Sequence, residues 1–346
     1  MDLNSINANI NRLLTNIWAV ISFLKEFAVD GAKDVSITYI NADGSESVKT
    51  MPNISKFFDD NSFGMKNYII NGGFDIWQRG TSFDSGVNYY SADRWRLFGH
   101  EAIISKSGNN IIKVKYNDTD GGDDNFVGLN QTIETKNAIK LRGKRITISA
   151  LVRKGSAFEG SLVLGLGIRT DGDDLIATGL IKSKDITTEV GTNFTKVSIT
   201  YDVPSFIRSI GVNIEQTNTT TINDNNYYEV SKVQLEEGSV ATPFEQRPYG
   251  LELSLCQRYY EVINANIIRP TYRLQDGTAS NGLGGSVFYK NEKLFVPTLD
   301  IATVTYGNCE NMSFAAFKDG IRVDGNATST TSTPYLGGAI VIESEI

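Results

Sequence analysis

Val197-Ser198-Ile199-Thr200-Tyr201-Asp202-Val203 places four apolar side chains on one face and three polar ones on the other. Such alternation marks a half-buried β-strand, because successive side chains of a strand point to opposite faces of the sheet. The pattern recurs outward in both directions. Upstream, Ile112, Val114 and Tyr116 alternate with Lys113 and Lys115, and Ile146, Ile148, Ala150 and Val152 recur at every second position. Leu162, Leu164, Leu166 and Ile168 are separated by Val163, Gly165 and Gly167. Downstream, Ile210, Val212 and Ile214 repeat the spacing, and the run from Val230 to Leu235 closes the set. No helical period of any length intervenes, so the expected fold class is mainly β. Antiparallel sheets are expected, with about eight strands in a jelly-roll sandwich. Self-similarity at 20–50 residues is absent, which argues against a propeller or β-helix.

Composition bounds the function. The chain has 346 residues, 40% of them hydrophobic and 21% charged, which suits packed domains rather than disorder. Thirty-three basic residues against 40 acidic ones give a net charge of −7, and this balance argues against sequence-independent nucleic-acid binding. The one histidine, His100, rules out a His-cluster metal site, and two cysteines, Cys256 and Cys309, cannot build a disulfide framework. No cofactor is expected. Thirty Asn and 32 Gly supply the tight turns a strand-rich protein needs. The first residues lack a basic leader, and the longest apolar stretch, Ile17 to Leu24, falls short of the roughly 20 residues that span a bilayer. Synthesis in a cytoplasm is expected, with no membrane insertion.

The N-terminal residues carry a different period. Leu3, Ile6, Ile10, Leu13, Ile17, Val20, Leu24 and Phe27 are spaced alternately by 3 and 4, a heptad seam. The surrounding Asn residues are weak helix formers, so this helix needs partner helices to persist. Its mixed d layer predicts a three-stranded coiled coil, hence a homotrimer, over residues 1–30. Residues 31–66 read as a neck built on a β-hairpin, in which Val35–Tyr39 and Ser47–Thr50 flank an Asp43-Gly44 turn. The sandwich is expected over 67–250 and a small β domain over 251–346. In the latter, Ser286–Lys290 before Leu294–Pro297, then Ala302–Tyr306, predict strands. Asp319-Gly320 predicts a hairpin turn. Gly338–Ile346 predicts a closing strand that reaches the last residue and ties into a sheet, here that of a neighbouring subunit.

Three blocks carry a resemblance. The first is Asn67-Tyr-Ile-Ile-Asn71-Gly72-Gly73-Phe74-Asp75-Ile-Trp77-Gln78-Arg79-Gly80, followed by Tyr90-Ser-Ala-Asp93-Arg94-Trp95. The second runs from Val233-Gln-Leu-Glu-Glu-Gly238 to Ala241-Thr-Pro-Phe-Glu-Gln-Arg247-Pro248, and the third is Leu255-Cys-Gln-Arg-Tyr-Tyr260. In order and spacing they resemble a domain of bacteriophage tail-fibre and receptor-binding proteins, and the Asn-Gly-Gly-Phe start is similar to that of jelly-roll carbohydrate-binding modules. The resemblance implies a virion appendage, usually trimeric, that recognises a host. Its expected partners are further copies of itself, other virion proteins at the N-terminus, and host surface polysaccharide. A structural collar, head or baseplate fibre without a receptor of its own is the alternative.

Catalysis has little support in the sequence. Glycoside hydrolysis needs two carboxylates across a sugar, yet the acidic residues crowd into Gly-rich turns, and there is no GxSxG or HExxH. A polysaccharide-degrading role is thus the weakest reading, and the chain is expected not to be an enzyme. The acidic turn with Asp118, Asp120, Asp123 and Asp124 has the oxygen density calcium wants, but its spacing departs from an EF-hand, so a solvated turn is the default. Sugar binding wants an aromatic face beside polar groups. The candidates are Trp77, Tyr89, Tyr90, Trp95, Tyr227 and Tyr228. Trp77 and Trp95 equally suit core packing, and Arg79 and Arg94 equally suit pairing with Asp75 and Asp93. On a strand, each Tyr-Tyr pair turns only one ring outward.

Overall fold

The computed structural model describes residues 65–84, 89–117, 125–170, 180–268, 271–275, 278–328 and 334–345, together with strands β1 (Val35–Ile40) and β2 (Glu46–Met51). The heptad segment and the acidic turn 118–124 lie outside these residues. The chain divides into Met1–Met65 and Lys66–Ile346. In the first unit β1 and β2 pair antiparallel, Ile40 opposite Glu46, as the hairpin reading predicts.

The second unit opens with short β3 (Ser82–Phe83), β4 (Arg96–Gly99) and β5 (Ala102–Gly108). Eight strands follow: β6 (Ile111–Tyr116), β7 (Phe126–Ile133), β8 (Arg145–Lys154), β9 (Ser161–Arg169), β10 (Leu180–Asp185), β11 (Thr195–Asp202), β12 (Ser209–Thr217) and β13 (Tyr227–Glu237). One sheet runs β11-β8-β13-β6-β5-β3 and the other β10-β9-β12-β7-β4. Within β6 to β13 the first, eighth, third and sixth strands form one sheet, and the second, seventh, fourth and fifth form the other. That order is the jelly roll. Every pairing is antiparallel, and the two inner faces bury one continuous core. In β6 the residues alternate as the sequence predicts, with Ile112, Val114 and Tyr116 buried. β12 does not alternate. Eight of its nine residues are buried, because both of its faces are covered.

Short α1 (Thr135–Ala138) follows β7, and α2 (Tyr249–Gln257) leads into a terminal lobe. Its strands are β14 (Tyr260–Asn264), β15 (Thr271–Gln275), β16 (Thr278–Phe288), β17 (Thr298–Asp300), β18 (Thr305–Gly307), β19 (Cys309–Ala316), β20 (Gly320–Ala327), β21 (Tyr335–Gly337) and β22 (Ala339–Glu343). They form sheets ordered β14-β22-β17, β15-β16-β20-β19 and β18-β21 around a small core of Ile263, Ile321, Val323, Ile340 and Ile342. The Asp319-Gly320 turn joins β19 to β20 as predicted.

Three expectations are corrected here. Leu294–Pro297 is not a strand: Lys293 N–H donates to the Lys318 carbonyl, Phe295 N–H donates to Ser344 Oγ, and Pro297 has no N–H for a ladder. Ala302–Val304 is a turn, because Asp300 accepts from the Ala302 N–H and the Ile301 carbonyl accepts from Val304. The closing strand stops at Glu343, and it lies between β14 and β17 of its own chain rather than on a neighbour.

Beyond β22, Ser344 N–H donates to the Tyr259 carbonyl at 2.7 Å, and Glu345 enters the jelly-roll side of the lobe. Its side chain, 3% exposed, meets Arg94, itself 2% exposed, and accepts from Arg79 at 3.2 Å. Burial works to lower the Arg94 pKa, but Glu345 beside it holds the guanidinium above its ordinary value. A buried pair broken on one side leaves an uncompensated charge, so Glu345→Ala should cost about 3–5 kcal/mol. Urea unfolding measures this, with Arg145→Ala as control: its pair with Asp202 is exposed on both sides and its loss should leave the midpoint in place.

Candidate functional site

The resemblance-bearing blocks converge on the seam between jelly roll and terminal lobe. Asn71 is their hub, at a φ of 55° that Asn tolerates better than most residues. Its Nδ2 donates to the carbonyls of Ile76 at 2.8 Å and Asp93 at 3.0 Å, its Oδ1 accepts from Ile76 N–H, and its carbonyl accepts from Trp95 Nε1 at 2.9 Å. Its own N–H donates to Glu252 of α2. Gly72 follows because a Cβ there would collide with the Val233 carbonyl, which lies at the bulge of β13. Arg247, 7% exposed, closes the second block onto the first, donating to Glu252 and to the carbonyls of Asn67 and Ile69.

The third block completes the seam with stacked cations. The Arg94 guanidinium lies 3.6 Å from the Tyr259 ring centroid, and Arg79 lies 3.8 Å from that of Tyr260. Glu134 accepts from Arg258 at 2.8 Å and from the Tyr259 hydroxyl. Burial works to raise the Glu134 carboxyl, and these hydrogen bonds overcome it, holding the group below its usual range. Asp93 goes the other way: burial raises it further than the Gln78 hydrogen bonds and Arg79 lower it. The pairing expected from the sequence holds in part, with Arg79 3.9 Å from Asp93. Arg94 binds Glu345 rather than Asp93, and Asp75 takes Asn110 and Gln246 instead of an arginine.

The six aromatic candidates separate. Trp95 is wholly buried, its ring 5.1 Å from that of Phe74, and Tyr228 is wholly buried with its hydroxyl on the Ile214 carbonyl. Neither can meet a ligand, which removes both from the candidates. Tyr228 shares strand parity with Val230, so its inward direction was readable. Tyr227 turns outward, but the Lys113 ammonium covers its ring at 3.8 Å. Trp77 is half-buried against the core, its indole N–H on the Phe74 carbonyl.

Tyr89 and Tyr90 are brought together with other groups. They line a cleft of about 550 Å3 along the seam, with Arg79 beside them. The terminal lobe supplies the opposite wall: Phe295, Val296 and Thr298 from the segment entering β17, and Glu343 and Glu345 from the end of β22. Arg79 bridges both glutamates, at 3.1 and 3.2 Å. Burial pushes the Tyr89 hydroxyl up to about 12 and raises Tyr90 as well, so both rings are neutral hydrogen-bonding groups at physiological pH. The cleft therefore offers aromatic surface and the Glu343 carboxylate, 43% exposed, over a largely buried Arg79–Glu345 pair, within one recess of small-ligand size. Sequence reasoning missed its far wall, because Glu343 lies 264 residues from Arg79.

Other charged groups lie elsewhere. His100 stands edge-on to Phe126, and among the described residues no three His, Cys, Asp or Glu side chains converge on a point that could hold a metal ion. Glu215 of β12 is 8% exposed, opposite Gly128 of β7 and Val163 of β9. Burial alone raises its carboxyl pKa. A carboxylate raised on folding favours the fold below its unfolded pKa and loses that contribution as pH climbs through the folded value. Glu215→Gln should therefore raise the melting temperature at pH 7 and leave it unchanged at pH 4, as thermal scans at both pH values would show.

No family model matches the chain, and no curated protein matches it. Solved structures align over about half of it. The enzymatically active domain of bacteriophage CBA120 tailspike protein 4 gives 11% identity and a TM-score of 0.30 over 49% of this chain and 21% of that one. This chain thus spans about a fifth of the tailspike domain's length. A family 22 carbohydrate-binding module of Clostridium thermocellum Xyn10B gives 13% and 0.31 over 46% of this chain and all of the module. A CBM4 module gives 15% and 0.31, over 49% and 98%. Superpositions this loose transfer no property to the chain.

Proposed function

We propose that the chain is a homotrimeric fibre of a phage virion, attached to the particle through its N-terminal region, whose Lys66–Ile346 unit binds host surface glycan. The observation that carries this reading is the seam cleft. Neutral tyrosine rings stand beside the exposed Glu343 carboxylate, which Arg79 orients, the combination a pyranose needs for its C–H face and its hydroxyls. The tail-fibre resemblance supports the virion setting, and trimerisation would multiply a weak single-site affinity. Both cleft glutamates are engaged by Arg79, an arrangement that suits holding a sugar rather than cleaving it.

One observation favours a second reading, a structural fibre with no receptor. The blocks that carry the resemblance are spent on the seam itself, through Asn71, Arg94, Arg247 and Tyr259. They report a shared scaffold and are silent about a shared receptor.

Adsorption of the fluorescently labelled full chain to host cells decides between the two. Thr298, exposed on the edge strand β17, borders the cleft. Thr298→Trp should fill it and reduce adsorption about tenfold or more, without shifting the unfolding midpoint. Undiminished adsorption would remove the cleft as the receptor site, and a wild-type chain that does not adsorb would leave the structural fibre. Light scattering should return three times the 38.0 kDa chain mass, and a monomer mass would end the trimer reading.

A further inference from the structure

The terminal lobe holds a second recess, about 590 Å3, on the outward face of β16 and β20. Strand register explains its form. Ser286 lies opposite Arg322 and Phe288 opposite Gly320, while Leu283, Ile321 and Val323 turn into the lobe core. Gly284, Ser286 and Phe288 therefore share the outward face with Gly320, Arg322 and Asp324. Phe288 is 74% exposed because its cross-strand neighbour has no side chain to cover it. Gly320 cannot acquire one, since a Cβ there would collide with the Val287 carbonyl. At the same end Phe317 rises 47% exposed from the turn closed by its N–H on the Gly320 carbonyl.

The opposite end is polar. Arg322 Nε donates to Asp324 at 2.8 Å, which orients a guanidinium whose side chain is 62% exposed. Asp319, next to Gly320 at the Phe288 end, adds a carboxylate to the lining. Ser286 lies across from Arg322, and beyond it the backbone of Gly284 and Gly285 extends the floor. From Gly284 to Phe288 the shelf is roughly 13 Å long. Among the described side chains that line it, one guanidinium and one carboxylate balance, so the lining favours neither a cationic nor an anionic ligand.

We propose that this recess is a second saccharide subsite, independent of the seam cleft, which takes a short neutral oligosaccharide. Phe288 stacks on the C–H face of one pyranose, Asp319 hydrogen-bonds a hydroxyl at that end, and Arg322 hydrogen-bonds the hydroxyls of the residue beyond it. The ligand class rests on the glycan-binding reading given above, whereas the site does not share a residue with the cleft. Two sites on one chain let a single saccharide surface engage both, which raises the effective concentration at the second once the first is filled.

The test uses the full chain on an array of neutral cello-, xylo-, manno- and galacto-oligosaccharides beside uronic-acid oligosaccharides. Wild type, Phe288→Ala, Arg322→Ala and Thr298→Trp are compared, each also weighed by light scattering. We expect a neutral oligosaccharide to bind, with the signal weakened about tenfold by Phe288→Ala and by Arg322→Ala and retained by Thr298→Trp. Phe288 is exposed, so its loss does not endanger folding. Binding that survives Phe288→Ala but fails in Thr298→Trp overturns the recess and leaves the cleft reading intact, whereas the cleft stands or falls separately, on whether Thr298→Trp lowers adsorption to host cells. A chain that binds nothing neutral overturns the proposal. So does a Phe288→Ala chain of lower assembly mass, which would assign the ring to contact with a second copy.

Discussion

Glu345 is a carboxylate withdrawn from water, and most of the seam follows from neutralising it. Arg94 and Arg79 do so, and each must itself be held. Tyr259 and Tyr260 supply aromatic faces beneath the two guanidinium planes, the Thr132 carbonyl takes a further Arg94 N–H, and Asp93 sits within reach of Arg79. The loop that bears both arginines is pinned in turn by Asn71, which ties Ile76, Asp93 and Trp95 to one side chain. A buried ion pair adds little net stability against a hydrophobic replacement, but it accepts few alternative arrangements. Its work here is to define how the terminal lobe meets the jelly roll, and thereby the cleft between them.

Period-2 alternation made the jelly roll legible wherever one strand face meets water, as in Ile112–Tyr116 and Val197–Val203. On β12 it located the strand and its core face but not the exposure of the other, where Asn213 and Glu215 are buried and polarity no longer reports exposure. The terminal lobe was legible at its Asp-Gly turn and closing strand, and illegible at Leu294–Pro297, where side chains and distant carbonyls replace the sheet ladder. For the site, sequence named Tyr89 and Tyr90 but set them beside Trp95 and Tyr228, since aromatic identity alone does not say which way a ring faces. The carboxylate wall escaped altogether. Nothing local joins Arg94 to Glu345, 251 residues away.

The two recesses differ in what makes them. The seam cleft exists only where two lobes meet, so its shape depends on the ion pairs beneath it. The shelf on β16 and β20 belongs to one sheet and is set by side chains missing at Gly284, Gly285 and Gly320. The first can be reshaped by anything that alters lobe docking, while the second changes only with its own residues.

Strand order carries a consequence for synthesis. β22 is the middle strand of its sheet yet follows both neighbours in the chain, and Glu345 follows it. A nascent chain leaves the ribosome at roughly 5–20 residues per second, so the jelly roll can close many seconds before its last partner arrives. During that interval Arg79 and Arg94 face a vacant socket. A chain stalled or clipped before β22 would keep that socket open, presenting two cations and unpaired edges of β14 and β17 to proteases and chaperones. Docking of β22 and Glu345 thus reports that the terminal lobe has closed on the jelly roll.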